Sequence, residues 1–265
     1  MTGGELARRF DSVADRFGGA DYVHRTTCDG LIERLAPVEI EPRLVVDLGS
    51  ATGQGGQALA RTWRRATIVN LDLSARMLDA AKRARPFFAR RRLAAVRADA
   101  RHTPFPTGSV DLVFANMLLP WLDDPGNCFA EVARILARGG VFAFATLGPD
   151  SFSELRGILP LHDYPDMHDL GDTLVRAGLA DPVLDTDRLR LTFGRTAALA
   201  SDLVACGASP GTPERLLKDL IGGSADREWS LGLELVYGHA WGVGVRTAPG
   251  EFRVEAGSIA RRERP

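Results

Sequence analysis

Cysteine is scarce in this chain, and the few cysteines follow no pattern. The 265 residues include three of them, Cys28, Cys128 and Cys206. An odd number at wide spacing excludes a disulfide framework, and it offers no paired spacing of the kind that binds zinc. We therefore expect reduced thiols and a cytoplasmic protein.

An excess of charge of one sign is also missing, and so are long apolar runs. Lys and Arg number 33 and Asp and Glu number 34, which leaves a net charge of −1. No apolar run reaches the roughly 20 residues that a membrane-spanning helix needs. The opening segment MTGGELARRF lacks the apolar core of a signal peptide. We expect neither a nucleic-acid partner nor a membrane partner.

Motifs of several common enzyme classes are absent as well. The five histidines are scattered, without i,i+4 pairs and without cysteine neighbours, so we expect no metal site. The sequence contains no phosphate-binding P-loop and no nucleophile elbow. Metal-dependent hydrolysis, nucleotide hydrolysis and serine-hydrolase chemistry are therefore not indicated.

What the sequence does contain is a regular alternation of short apolar strands and amphipathic helices. Residues 5–36 have helical spacing with a Gly-Gly break at 18–19. The strands that follow are predicted at 43–49, 66–72, 93–99, 109–116 and 139–147, and the helices between them at 55–63, 74–84 and 126–137. This order is typical of an α/β protein with a doubly wound, mostly parallel sheet.

The remainder of the chain changes character after residue 148. A Pro- and Asp-containing connection at 149–167 leads to a helix over 168–179 that Gly178 ends. The elements predicted beyond it are a strand at 183–193, a helix at 195–206, a long loop at 207–228, a last strand at 229–242 and a disordered tail at 260–265. The two added strands make a seven-stranded sheet. We expect one domain over 1–265, with a helical cap (1–41), a cofactor-binding core (42–148) and a substrate-side insert with the C-terminal strands (149–265).

Four predicted strands end in small or polar residues. The first strand runs into a turn over 47–53, and the other three end at Asp72, at Asp99-Ala100 and at Asn116-Met117. Ligands of open α/β sheets bind beyond the carboxyl ends of the strands. Ordinary turn chemistry is the alternative for any one of these ends, but their order and spacing favour a nucleoside site in which Asp72 accepts the ribose hydroxyls.

The spacing of the first turn favours one nucleoside ligand over another. Gly53–Ala58 matches a G-x-G-x-x-A dinucleotide loop, but it begins six residues after Asp47, so its glycines fall inside the following helix. The better match is acid-x-G-x-A-x-G, in which Asp47 accepts an ammonium and small residues let the backbone approach a carboxylate. That charge pattern suits S-adenosylmethionine.

Five segments together resemble class I S-adenosylmethionine-dependent methyltransferases. They are VVDLGSATG, LDLSARMLDAAK, DARHTPFPTGSVDLVFANMLLPWLDDP, EVARILARGGVFAFATLGP and DMHDLGDTLVRAGL. More narrowly they are similar to the malonyl-[acyl-carrier protein] O-methyltransferases of biotin synthesis, as are the two end segments LARRFDSVADRF and LELVYGHAWG. The resemblance implies a Rossmann-like fold, an N-terminal helical lid that includes Arg9 and Phe10, and S-adenosylmethionine as cofactor.

Carried onto this chain, the resemblance implies a set of cofactor contacts at the strand ends and in the lid. They are Asp47, Gly49, Ser50, Ala51, Gly53, Asp72, Leu73, Met77, Asp99, Ala100, Asn116, Met117 and Phe17. Three features depart from the family. Ala51 stands where a glycine is usual, Phe17 replaces a tyrosine whose hydroxyl would bond the cofactor, and the 149–167 connection is several residues shorter.

A carboxylate that accepts a methyl group is already ionised near neutral pH, so the transfer needs no general base. It depends on positioning and on the exclusion of water, and on a cation or donor that holds the acceptor. Arg156 and His168 are the candidates for this catalytic role. Each also fits a structural role, Arg156 as a solvated helix residue and His168 as a helix cap, and we expect Trp121 to pack rather than to bind.

Eight basic residues form a cluster before and after the third predicted helix. They are Arg64, Arg65, Lys82, Arg83, Arg85, Arg90, Arg91 and Arg92. An acyl carrier protein is acidic, so the Arg83–Arg92 part of this basic cluster is a candidate docking surface. A solvated helix face is the alternative.

The sequence therefore predicts an S-adenosylmethionine-dependent O-methyltransferase that acts on the free carboxylate of a malonyl-type acyl group on a carrier protein. The alternative is a non-catalytic or differently acting binding or assembly protein with the same fold, which the departures at Ala51, at Phe17 and in the 149–167 connection favour. A nicotinamide dehydrogenase is a third hypothesis, which depends only on the misplaced glycine motif.

Overall fold

The computed structural model describes residues 2–221 and 227–244. Helices in these ranges are numbered in chain order as α1 (Gly3–Val13), α2 (Tyr22–Leu35), α3 (Gln54–Thr62), α4 (Ala75–Arg83), α5 (Pro125–Ile135), α6 (Met167–Ala177), α7 (Thr196–Ala205) and α8 (Pro213–Ile221). The strands are β1 (Leu44–Leu48), β2 (Thr67–Asp72), β3 (Leu93–Arg97), β4 (Val110–Asn116), β5 (Leu136–Leu147), β6 (Leu179–Phe193) and β7 (Trp229–Gly242).

The strands form one sheet in the order β3-β2-β1-β4-β5-β7-β6. Strands β1 to β5 run parallel to one another, and β7 runs antiparallel between β5 and β6. The predicted doubly wound, mostly parallel seven-stranded fold is confirmed. The strand order reverses between β1 and β4, and it is at such a reversal that open α/β sheets bind ligands.

Apolar residues of β1 alternate between two cores, one on each face of the sheet. Val45 packs in the core that includes Leu59 of α3, whereas Val46 packs in the core that includes Phe129 of α5. Burial on both faces explains why this strand is apolar throughout instead of alternating with polar residues. It also carries the side chain of Asp47, only 2% exposed, to the end of a dry strand.

The loop predicted over 207–228 is wrong, because α8 lies inside it. The side-chain oxygen of Thr212 accepts a hydrogen bond from the backbone N–H of Arg215 at 3.4 Å, and Leu216 and Leu220 are buried. Pro213 in the first turn and leucines four residues apart are helix signals. The Gly, Ser and Pro residues just before them are typical of loops, which is why the sequence analysis did not predict the helix. Residues 222–226 lie outside the described ranges.

The other predicted elements are found with shifted ends. The helical stretch at 5–36 is split into α1, a 3-10 turn over Phe17–Gly19 and α2, close to the predicted break. Gly178 ends α6 in the left-handed conformation, at φ 96°, as expected. The predicted tail at 260–265 lies outside the described residues, and the division into cap, core and insert stays a prediction. None of the described helices is long and apolar enough to cross a membrane.

Candidate active site

The carboxyl ends of β1, β2 and β4 lie side by side, because these strands are neighbours in the sheet. Together with the segment after β3 they form one wall of a cleft, which includes Asp72, Asp99 and Asn116. Helix α1 forms the opposite wall through residues such as Leu6 and Phe10. The structure thus brings together the four strand ends that the sequence singled out.

Helix α1 is capped at its start and is fastened over this cleft near its end. Thr2 and Glu5 form a reciprocal capping box at its start. Near its end, the Asp11 carboxylate accepts hydrogen bonds from the Ser74 hydroxyl at 2.6 Å and from the Arg76 backbone N–H at 3.1 Å. These bonds tie the lid to the start of α4.

The turn after β1 contains three residues in the left-handed region. Gly49, Ala51 and Gly53 have φ of 76°, 44° and 79°. The Ala51 backbone N–H donates to the Asp72 carboxylate at 2.8 Å, which holds the turn against β2. Ala51 therefore does not avoid positive φ, and its methyl group costs about 1 kcal/mol compared with glycine.

Asp47 is a buried carboxyl with an altered acidity. Burial raises its pKa to about 7, the Gly56 N–H partly opposes this, and the nearby charge of Asp72 adds to it. One carboxyl oxygen, Oδ2, is buried and has no hydrogen-bond partner among the described residues. A cation placed against that oxygen would lower the pKa of Asp47 again and stabilise its ionised form.

Unpartnered polar atoms are concentrated beside Asp47. Within the described ranges seven buried side-chain polar atoms have no hydrogen-bond partner, and four of them belong to residues that line one small cavity. These four are His24 Nδ1, Asp47 Oδ2, Ser50 Oγ and Asn116 Oδ1. A buried polar atom left unpaired costs about 1–3 kcal/mol. Such a cluster indicates a polar ligand, and the oxygens suit an ammonium group.

Two other acids of the cleft, Asp72 and Asp99, are already engaged on one side. The Asp72 carboxylate accepts the backbone N–H groups of Ala51 and Ser74, each at 2.8 Å, which leaves further lone pairs for a ligand. Asp99 is paired with Arg101 at 2.7 Å, and the hydrogen bonds from that side chain hold the pKa of Asp99 below its usual value. The sequence analysis missed Arg101, although it stands only two residues after Asp99.

A second, larger cavity of about 370 Å³ adjoins the cleft, and we call it the acyl cavity. Its walls are mainly apolar and come from α2, α7, β6 and β7, with Arg190 as an exposed cation among them. Three residues line both the cleft and the acyl cavity, namely His24, Met117 and Trp121. Trp121 thus lines both spaces, and its ring also packs edge-on against Phe10, as expected.

His24 is the main residue that sequence reasoning missed. It lines the cleft, the acyl cavity and the small cavity beside Asp47. Burial lowers its pKa to about 4, so the imidazole is neutral at physiological pH. Its backbone carbonyl accepts the Asn116 side-chain N–H at 2.8 Å, and its ring meets the Phe17 ring edge-on at 4.9 Å. In the sequence, a single histidine in an amphipathic helix does not indicate that its side chain lines a binding site.

The remaining predicted cofactor contacts divide into two groups. Those that line the cleft or the cavity beside Asp47 are Phe17, Asp47, Gly49, Ser50, Ala51, Asp72, Leu73, Asp99, Ala100, Asn116 and Met117. Met77 and Gly53 line neither. Met77 is fully buried in a cluster with Val13 and Phe17, under the lid, and Gly53 serves as the left-handed N-cap of α3.

Neither predicted catalytic residue lines the cleft or the acyl cavity, and their catalytic role stays a prediction. Arg156 is exposed, donates to the Pro149 carbonyl, and lines a hollow that shares His162 and Tyr164 with the acyl cavity. His168 is exposed, and its ring and backbone both bond the Asp166 carboxylate that caps α6. Neither structural alternative fits as stated, because Arg156 follows a 3-10 turn instead of lying in a helix, and Asp166, not His168, caps α6.

Part of the basic cluster lies at the opposite edge of the sheet from the cleft, whereas Arg83 is 3.8 Å from Asp15, which follows the lid helix α1. The Arg92 carbonyl accepts from the N–H of Ile68 at the start of β2, and Arg64 and Arg65 precede the same strand. A six-residue strand is about 20 Å long, so Arg64, Arg65 and Arg92 lie about one strand length from the cleft. The guanidinium of Arg92 bonds three backbone carbonyls, and Arg85 bonds another, which gives these two residues a structural role.

The described part of the chain brings no three His, Cys, Asp or Glu side chains together in a way that would hold a metal ion. All three cysteines are free thiols, and burial raises the pKa of Cys28 and of Cys128 to about 12. These thiols are therefore neutral and do not act as nucleophiles near neutral pH.

Comparison with known proteins gives the geometry a context. A family described as "methyltransferase domain" matches residues 46–144. The malonyl-[acyl-carrier protein] O-methyltransferase of Halorhodospira halophila is 36% identical, over 98% of this chain and 96% of that protein. The enzyme of the same name from Laribacter hongkongensis is 37% identical, over 88% of this chain and 86% of that protein.

Solved structures agree on the fold. A phosphoethanolamine N-methyltransferase of Haemonchus contortus, in complex with phosphomonomethylethanolamine and S-adenosylhomocysteine, superposes with a TM-score of 0.59 at 14% identity, over 88% of this chain and 57% of that one. The [4+2]-cyclase SpnF superposes with a TM-score of 0.57 at 19% identity, over 83% and 81% of the two chains. Proteins with this fold thus catalyse different reactions, so the reaction has to be inferred from the residues of the site.

Proposed function

The chain belongs to the malonyl-[acyl-carrier protein] O-methyltransferases, which are S-adenosylmethionine-dependent methyltransferases, and we propose that it methylates the free carboxylate of a malonyl group carried on an acyl carrier protein. The single observation in the structure that carries the proposal is the cluster of unpartnered polar atoms around Asp47, at the end of β1 and beside Asp72. Such a cluster suits the charged end of an amino-acid nucleoside.

The residues of the cleft fit each part of S-adenosylmethionine in turn. Asp47, Asn116 and Ser50 offer oxygens to its ammonium group. Asp72 keeps lone pairs for the ribose hydroxyls, and Asp99 stands one strand further along, where the base would lie. When bound, the cofactor supplies an electrophilic methyl group on a positively charged sulfur.

The protein's own contribution is to bind, to orient and to exclude water. A malonyl carboxylate is ionised at neutral pH and attacks the methyl carbon without a general base. The acyl cavity offers mainly apolar walls, and helix α1 covers the cofactor side, so both reactants leave bulk water on binding. Burial lowers the pKa of His24 at the junction of the two cavities to about 4, so this weak base is not needed for a transfer in which no proton moves.

The carrier protein has to approach the mouth of the acyl cavity. We infer that Arg190 belongs to this entrance, because it is exposed, lines the cavity and forms no ion pair within the described ranges. Arg64, Arg65 and Arg92 of the basic cluster lie about one strand length away at the other sheet edge, so a carrier bound to them would face away from the cavity. A cytoplasmic location, with free thiols, is part of the same proposal.

The test is a methyl-transfer assay with purified protein, S-adenosylmethionine and malonyl-loaded carrier protein. We expect S-adenosylhomocysteine to form only when the malonyl carrier is present, and acetyl carrier protein, which lacks the free carboxylate, to give none. Binding of S-adenosylhomocysteine without turnover on malonyl carrier would favour the alternative of a non-catalytic binding protein. No binding in calorimetry at millimolar ligand would refute the cofactor site itself.

A further inference from the structure

The cleft and the acyl cavity meet at a wall of three side chains. His24, Met117 and Trp121 line both spaces, and His24 also reaches the small cavity beside Asp47. If the cleft holds the methyl donor and the acyl cavity holds the acceptor, the reacting atoms meet at this wall. What the three side chains offer there determines how the acceptor is held.

Two of the three carry an N–H donor. Met117 has only a thioether, a weak acceptor, whereas the imidazole of His24 and the indole of Trp121 each donate one hydrogen bond when neutral. The Nδ1 atom of His24 is buried and has no hydrogen-bond partner in the described ranges. Burial of the ring disfavours its charged form, so its donor is neutral.

Both rings are held in place by their neighbours. The His24 ring lies edge-on to Phe17 at 4.9 Å, and its backbone is bonded to Asn116. The Trp121 ring lies edge-on to Phe10 at 5.0 Å, with the Arg9 guanidinium 5.1 Å from its centre. Donors that are fixed before the ligand arrives lose little entropy on binding, which suits a site that has to aim a nucleophile.

Charge balance favours neutral donors at this position. In the transfer, one carboxylate oxygen forms a bond to the methyl carbon, the carbon–sulfur bond breaks, and its electron pair stays on sulfur. The negative charge of the acceptor and the positive charge of the sulfonium disappear together, and no proton moves. A cation in contact with the carboxylate would stabilise the reactants more than the transition state and would slow the reaction. A neutral N–H orients the acceptor with less of that penalty.

We propose that the neutral N–H groups of His24 and Trp121 hold the acceptor's carboxylate at the end of the cofactor cleft, with His24 as the principal ligand. This role depends on the proposed methyl transfer to a carboxylate. It assigns the acceptor-binding task to residues of α2 and of the segment after β4 instead of to Arg156 and His168.

The experiment compares His24→Phe, His24→Gln and Trp121→Phe with wild type. Phenylalanine at either position keeps an aromatic ring but removes the donor, and glutamine at position 24 keeps a neutral donor. His168→Phe is the matched control, because that exposed histidine lines neither cavity. For each protein we would measure kcat and KM for malonyl carrier protein, and the Kd of S-adenosylhomocysteine by calorimetry.

We expect His24→Phe to lower kcat/KM for the malonyl carrier by about tenfold to a hundredfold, the range for loss of a hydrogen bond to a charged group. Trp121→Phe should lower it less, and His24→Gln should retain activity within about fivefold, while the Kd of S-adenosylhomocysteine changes by less than about threefold in all of them. The control should equal wild type.

Other outcomes overturn the assignment. An unchanged kcat/KM in His24→Phe would exclude His24 as an acceptor ligand. A Kd for S-adenosylhomocysteine that weakens as much as kcat/KM falls would make His24 a cofactor ligand instead. A wild-type enzyme that is inactive on malonyl carrier protein would refute the proposed function, and this inference with it.

If His24→Phe does not fold, the wild-type protein provides the test. With S-adenosylhomocysteine bound, malonyl-CoA should shift the ¹⁵N resonances of the His24 ring, whereas its methyl ester should not. No difference between the two ligands would contradict the proposal.

Discussion

The acidity of Asp47 predicts a strong pH dependence of cofactor binding. The free protein holds this carboxyl at a pKa of about 7 because it is buried, and an ammonium group binds the ionised form. Below that pKa the site has to lose a proton before it binds, so affinity falls by up to tenfold per pH unit. With a pKa of about 7, the ionised fraction drops about 25-fold between pH 7.5 and pH 5.5, and we expect the Kd of S-adenosylhomocysteine to rise by about that factor.

Isothermal titration calorimetry over this pH range measures the effect, and buffers of different ionisation enthalpy report the proton released. The control is Asp47→Asn, which keeps the shape but cannot ionise. It should bind about 10–100-fold more weakly at pH 7.5, the range for loss of a charged hydrogen bond, and vary little with pH. A wild-type Kd that stays within threefold from pH 5.5 to 7.5 would refute the reasoning.

The raised pKa of Asp47 has the opposite pH dependence in its effect on folding stability. The folded protein keeps a proton on Asp47 up to about pH 7, whereas the unfolded chain loses it near pH 4. Between these values the folded state binds more protons, so without ligand the contribution of Asp47 to the free energy of unfolding decreases as pH rises from about 4 to 7. The difference between wild type and Asp47→Asn isolates this contribution.

Three further predictions follow from the site. Ala51→Gly removes the strain of a methyl group at φ 44°. Chemical denaturation should show a gain of up to about 1 kcal/mol in unfolding free energy, partly offset by the greater freedom of glycine in the unfolded chain. A loss of stability would contradict the idea that Ala51 is strained. Arg156→Ala and His168→Ala should keep kcat/KM for malonyl carrier protein within about twofold, because both side chains lie outside the two cavities, and a tenfold loss would restore them as catalytic candidates. Arg190→Glu should raise the KM for malonyl carrier protein several-fold in steady-state assays. The double variant Arg90→Glu, Arg91→Glu at the far sheet edge should leave this KM unchanged. The reverse result would indicate that the carrier protein docks on the basic cluster.

The cofactor side of the site was predictable because each of its parts is local in sequence. Asp47, Asp72 and Asn116 each follow an apolar strand, and parallel strands present their carboxyl ends at one edge. The alignment of these strand ends at one edge can be predicted from the order of strands and helices along the chain alone. The register of the turn could also be worked out, since Gly55 and Gly56 lie inside α3 as expected.

The acceptor side depends on tertiary packing that the sequence did not show. His24 meets Asn116 across 92 positions of sequence, and the acyl cavity adds walls from β6, β7 and α7. Arg156 and His168 follow the end of β5 in sequence, but neither lines the cleft or the acyl cavity. The position of the basic residues that precede strands could have been predicted from the topology. A helix-to-strand connection in a parallel sheet lies at the amino ends of the strands, away from the ligand.

The central claim is that the cleft around Asp47 delivers a methyl group to a malonyl carboxylate. The most direct measurement is intact mass spectrometry of malonyl carrier protein after incubation with the enzyme and S-adenosylmethionine labelled in its methyl group. The predicted result is a carrier whose mass has grown by one labelled methyl group that mild base removes as an ester, with the gain nearly lost in Asp47→Asn. An unmodified malonyl carrier, in the presence of a wild-type protein that binds S-adenosylhomocysteine, would contradict it.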